Sequence, residues 1–244
     1  MTDLIYTEIL KLKRSKMFIV SLAGSTVAPI LNFFLFISMR ARRPNGSYTF
    51  SDYFQQTNLF IAFIIGTLLF GLIATFIFNR EYQEDTMKNL LTIPIGRNML
   101  IINKLMILFM WIIFLMIFSL IVCTVLGFIA NFTDFNFNIF IEYLKEYIFT
   151  GVLLFTLTPP VILIALIFKD YVPAIAFNIV VTVAGIIIGN SEYISIYPWT
   201  VPAAITIDGI NLKYPLIYSC ISIISVFTLS LIASFIYFNK KDLN

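Results

Sequence analysis

Histidine is absent from the 244 residues and cysteine occurs only twice. Without imidazole, the zinc motifs that depend on it and a Ser-His-Asp relay are excluded. Cys123 and Cys220 both fall inside apolar runs, so neither a disulfide framework nor a metal cluster is indicated; both read as small packing residues. Charge is scarce as well. Charged residues make up 12% of the chain and the net charge is +3. The basic residues are grouped at the ends of apolar runs rather than in one patch, which argues against a nucleic-acid partner. Nor is there a segment long enough for a separate soluble domain, so no nucleotide-binding domain is expected.

What is abundant is apolar surface: 60% of the residues are hydrophobic and 26 are Phe. A bilayer core of about 30 Å takes roughly 20 apolar residues in a helix. Runs of that length predict six spans at about 17–39, 58–79, 105–130, 147–168, 172–190 and 215–238, making residues 1–244 a single all-α transmembrane domain. The first run is too long for a signal-peptide core and is expected to stay as a helix. Six spans put both termini on one side. Eleven basic residues, Lys11, Lys13, Arg14, Lys16, Arg80, Lys88, Arg97, Lys104, Lys169, Lys240 and Lys241, share that side against five on the other, which predicts cytoplasmic termini. Arg40, Arg42 and Arg43, just after the first span, run against this rule.

Between the spans, Asp3 to Arg14 places Ile5, Ile9 and Leu12 apart from Glu8, Lys11 and Lys13, as an interfacial helix would; a charged start that merely orients the first span is the alternative. The loop from Arg40 to Thr57 is expected to be irregular, and Phe137 to Tyr147 to form a short helix on the outer surface. Ser191 to Tyr214, with Tyr197 and Trp199, is expected to dip partly into the outer leaflet. Thr158-Pro159-Pro160 should kink or break the fourth span, statically or as a hinge at Pro159 and Pro160. Gly66 and Gly71 have the spacing of a phosphate loop but lack its Lys and Ser/Thr, so they read as packing glycines, and Gly185 with Gly189 forms a GxxxG pair.

No acidic residue, Lys or Arg falls near the middle of a span. Ion-driven transporters usually hold such groups at membrane depth, so work done by this chain is expected to be powered from outside the bilayer. Charge concentrates instead in the loop from Arg80 to Arg97. There Glu81 with Asp85, and Glu84 with Lys88, stand at i,i+4 spacing and predict an exposed charged ridge on a short helix. Tyr82, Met87, Leu90 and Leu91 form its apolar complement, and Pro94-Ile95-Gly96 ends it.

The run from Glu81 to Arg97, read as E-x-x-x-x-T-x-x-x-L-L-T-x-P-x-x-R and followed by Lys104, resembles the segment after the second span in type-2 ABC transporter permeases. It is closest to the short six-span permeases of bacitracin and lantibiotic resistance systems. Asp85 stands where that family commonly has a small residue before the Thr. The pattern Glu8, Lys11, Arg14 is also similar. The resemblance implies a bacterial cell-membrane exporter subunit with a cytoplasmic coupling helix that docks on a separate ATPase. Docking would fall to Glu81, Glu84, Asp85, Thr86, Leu90 and Leu91, the elbow to Pro94, and a smaller contact to Lys169 and Asp170. It further implies a homodimer or a heterodimer with a similar permease, no cofactor on this chain, and ATP with Mg on the partner. The substrate would be an amphipathic peptide antibiotic or its lipid-linked target. Two other classes remain open: a lipid or isoprenoid enzyme using Glu81, Glu84 and Asp85, and a non-transporting membrane scaffold or sensor.

Overall fold

Among the residues described, 2–43, 46–84, 86, 96–206 and 213–240, the computed structural model contains helices and no strand, with one isolated bridge between Thr49 and Thr133. Helix α1 (Thr2–Arg14) stops at Ser15, whose backbone N–H and hydroxyl both turn back to the Leu12 carbonyl. Helix α2 (Lys16–Arg42) carries Pro29 in its interior and forms the first span. The second span is composite: α3 (Phe50–Phe60), a π segment (Ile61–Ile65) and α4 (Gly66–Gln83). Then come α5 (Arg97–Ile129), α6 (Phe137–Thr156), α7 (Thr158–Phe168) and α8 (Tyr171–Ile188). A 3-10 turn (Glu192–Ser195), α9 (Val201–Thr206) and α10 (Leu216–Lys240) complete the described chain.

Among the described residues, six helical stretches are long and apolar enough to cross a membrane: 16–42, 50–83, 98–129, 137–168, 171–188 and 216–240. They match the six expected spans, but the second, third and fourth start seven to ten residues earlier. The loop expected to be irregular up to Thr57 is helical from Phe50. Thr49 caps this helix, accepting from the Asp52 N–H at 3.1 Å while its hydroxyl donates to the Asp52 carboxylate at 2.7 Å. Phe50, Tyr53, Phe54 and Thr57 fall on one helical face and are all buried. The surface helix expected at Phe137 to Tyr147 is also corrected: it is the first half of α6 and continues without interruption to Thr156, because nothing between Tyr147 and Thr156 removes a backbone donor. The break comes at Leu157, where Pro159 and Pro160 occupy the first turn of α7, a position that needs no N–H.

The second span lies at the centre. Helix α4 packs on α7 and α8 and also touches α2, α5 and α6, while α2 lies along α5 and α10 covers α7. In lipid, helices gain little from hiding apolar surface and depend on close packing and interhelical hydrogen bonds. Gly71 shows both: a Cβ there would lie 2.2 Å from Asn178 Nδ2, so only glycine lets Asn178 enter and donate to the carbonyls of Thr67 and Leu68, each at 3.1 Å. At the end carrying Arg40, the rings of Phe36, Phe50, Tyr53, Phe128, Phe132 and Phe135 contact one another. Such pairs contribute about 0.5–1.5 kcal/mol each beyond area burial. The segment after α8 folds back on the bundle: the Tyr197 hydroxyl donates to the Val181 carbonyl at 3.0 Å and burial raises its pKa.

Candidate functional site

At the opposite end of the bundle, three helices bring charge together. Helix α4 carries Glu81 in its last turn, α5 carries Lys104, and α1 carries Glu8 and Lys11. Glu81 is 3% exposed and Lys104 6%. The Lys104 ammonium donates to Glu81 Oε2 and to the Ile77 carbonyl, and lies 5.5 Å from the centre of the Phe78 ring. Lys11 Nζ stands 3.5 Å from Glu81 Oε1 and also donates to Glu8. Burial alone would pull the Lys11 ammonium down; Glu8 and then Glu81 outweigh it, and its pKa is raised. A cavity of about 10 Å³ bounded by Glu8, Lys11, Arg80 and Glu81 adjoins the network. Arg80 extends it, donating through Nη1 to the Lys11 carbonyl at 3.0 Å and through Nε to Glu84 at 2.9 Å.

The turn between the fourth and fifth spans is tied to the same helix end. Lys169 adopts a left-handed conformation (φ 54°), and Asp170 caps α8 by accepting from the Val172 N–H. Their carbonyls are taken by α4: Asn79 Nδ2 donates to Asp170 O at 2.7 Å and Gln83 Nε2 to Lys169 O at 2.9 Å. The Lys169 ammonium lies over the Tyr82 ring at 5.6 Å. Thus α4 is joined by side chains to α1, α5 and the 169–170 turn, within two turns of its end.

Glu81 is therefore not part of an exposed ridge. It faces inward because two ammonium groups from other helices meet it there. Lys104 lies, as expected, on a helix that starts near Asn98 and runs into the third span, but it is buried rather than set just outside the span. In α1, likewise, Glu8 and Lys11 turn toward the bundle, while Lys13 and Arg14 are exposed. Glu84 is exposed and paired with Arg80, and Thr86 is exposed with its N–H donated to the Glu81 carbonyl at 3.1 Å. Asp85, Leu90, Leu91 and Pro94 lie outside the described residues, as does most of the expected coupling helix. The roles of Lys104, Arg80, Asn79 and Gln83 were not anticipated. For Lys104 a signal existed, since it ends the motif that begins at Glu81. The GxxxG pair is occupied within the chain: Gly185 faces Tyr197 and Thr200, and Gly189 faces Phe63.

A second feature is a groove of about 320 Å³ toward the other end, between the π segment and the end of the fifth span. It is mostly apolar, lined by Leu59, Phe60, Phe63, Ile64, Ile186 and Gly189, with Asn190 contributing a polar edge.

Among the described residues, six apolar spans with charges at their ends define a multi-pass membrane protein, and side-chain contacts between several of its helices converge on the end of α4. The chain belongs to a family of transport permeases, the ABC-2 family transporter proteins, whose pattern it matches over residues 4–185. It is 38% identical over 208 residues to the bacitracin transport permease protein BCRB of Bacillus licheniformis, an alignment covering 85% of this chain and all of that protein.

Proposed function

We propose that this chain is the membrane-spanning subunit of an ABC exporter in a bacterial cell membrane, driven by a separate ATPase that binds ATP and Mg. Both termini lie in the cytoplasm, as the eleven-to-five split of basic residues supports. The substrate is an amphipathic peptide antibiotic of the bacitracin type or its lipid-linked target, a reading supported by the named relative. A second permease, a copy or a similar chain, completes the pathway.

The observation that carries this reading is the buried Glu81–Lys104 pair beneath an exposed Glu84 and Thr86. The ATPase docks on Glu84, Asp85, Thr86, Leu90 and Leu91, with Asp170 and Lys169 as a lesser contact and Pro94 as the elbow. Glu81 acts behind that surface as a positioning residue. Displacement of the loop stem reaches α5 and α1 through Lys104 and Lys11, and the fourth and fifth spans through Asn79 and Gln83. Pro159 and Pro160 give the fourth span a place to bend.

The test is co-purification with a co-expressed ABC ATPase subunit from the same organism, together with growth in bacitracin. Glu84→Ala with Thr86→Ala should release the ATPase. Glu81→Gln should leave the ATPase bound but reduce resistance. Unchanged association and unchanged resistance in both variants would overturn the proposal.

A further inference from the structure

The three arginines that run against the charge rule are not equivalent. Arg40 is exposed but held to the chain, donating through Nη1 to the Ala130 carbonyl at 2.7 Å, just past the end of α5. Arg42 and Arg43 are exposed and have no acidic partner among the described residues. Asp52 and Asp134 accept from the hydroxyls of Thr49 and Thr133, and neither forms an ion pair with these arginines. The backbone carrying the two arginines is fixed: Arg43 N–H donates to Met39 O at 2.9 Å, and Arg43 O accepts from Gly46 N–H and the Tyr48 hydroxyl, each at 3.1 Å. Below them, α2 exposes a stripe at helical spacing, Val27, Leu31, Phe34 and Ile37. From Leu31 to Arg42 this stripe is roughly 16 Å long at 1.5 Å per residue, the depth of one leaflet of a core about 30 Å thick.

We propose that Arg42 and Arg43 seat the phosphate of an anionic phospholipid whose chain lies along the stripe of α2. Two guanidinium groups at headgroup level, unpaired within the protein, match an anionic phosphodiester, and guanidinium favours phosphate oxygens through paired N–H donors. The apolar stripe directly beneath distinguishes a lipid from a free anion. A second copy is a poorer occupant, because a two-fold contact along this stripe would set like charges of the two chains at the same depth. The seat depends on the membrane-spanning fold and not on the ATPase reading.

The experiment is native mass spectrometry of the full chain released from micelles holding equimolar phosphatidylglycerol and phosphatidylcholine. The wild type should retain phosphatidylglycerol preferentially. Arg42→Gln and Arg43→Gln should each lower that preference about fivefold, and Arg42→Lys with Arg43→Lys, which keeps the charge but not the paired donors, should retain only part of it. Lys145→Gln, at the same end, should change nothing, and melting curves establish that each variant is folded. Equal retention of the two lipids by the wild type, or an unchanged preference in R42Q/R43Q, would overturn the proposal. So would displacement by millimolar inorganic phosphate, which would indicate a free-anion site, or loss of a dimer in place of loss of lipid. Should the glutamine variants fail to fold, wild-type lipid preference and the lysine pair still decide the matter.

Discussion

Replacing Lys104 with Met keeps the length and bulk of the side chain and removes only its charge, so the outcome measures what the ammonium does for Glu81. At an effective dielectric of about 20, charges roughly 3 Å apart attract by about 5–6 kcal/mol, much of which offsets the cost of taking both ions out of water. Removing one partner leaves that cost unmatched, and the expected loss is about 3–5 kcal/mol. Lys11 stands 3.5 Å from the other carboxylate oxygen, but its side chain is 35% exposed. Solvent screening reduces its contribution to about 1 kcal/mol or less, so it does not substitute for Lys104. For a chain of this size each kcal/mol moves the melting temperature by roughly 2–4 °C. Lys104→Met should therefore melt about 6–20 °C below wild type in detergent, and Lys11→Met no more than about 4 °C below. Adding Glu81→Gln to Lys104→Met should recover part of the loss, since no buried charge is then left alone. Equal melting of Lys104→Met and wild type, or greater damage from Lys11→Met, would refute the assignment of Lys104 as the principal counter-ion.

Two further outcomes follow from the geometry. Gly71→Ala should expel Asn178 from the Thr67 and Leu68 carbonyls and cost about 1–3 kcal/mol, while Gly185→Ala, whose added carbon would lie 3.7 Å from Tyr197, should be nearly neutral; thermal melting of the two variants compares them. Because the Lys11 pKa is raised by folding, its pairing contributes fully below the unfolded value and is lost as pH rises through the folded one. Melting followed from neutral to strongly alkaline pH should therefore show the wild type losing more stability than Lys11→Arg, whose charge persists, and parallel curves would contradict this.

The spans were legible in the sequence because length and apolarity alone determine them. Their ends were not, for reasons that differ. The stretch Phe50 to Asn58 looks polar residue by residue, yet its Phe and Tyr positions share one helical face that becomes visible only when Thr49 is recognised as a cap. Phe137 to Tyr147 carries a charged side that resembles a surface helix, although no residue after it interrupts the backbone. Glu81 read as an exposed charge because its local neighbours, Glu84 and Asp85, are charged. What decides its orientation is Lys104, 23 residues further on, and Lys11, 70 residues earlier. Distances of that kind are set by tertiary packing, not by periodicity. The motif that identified the family held both ends of the pair without revealing that they touch.

The pair has a consequence for how the protein is made. Glu81 and Lys104 flank a single hairpin and need nothing that is synthesised later, so their charges can cancel as soon as the third span has entered the bilayer. The contact that aligns the second and third spans thus requires no residue that follows the third span in the chain. The later helices assemble around a hairpin that already carries no net charge from this pair.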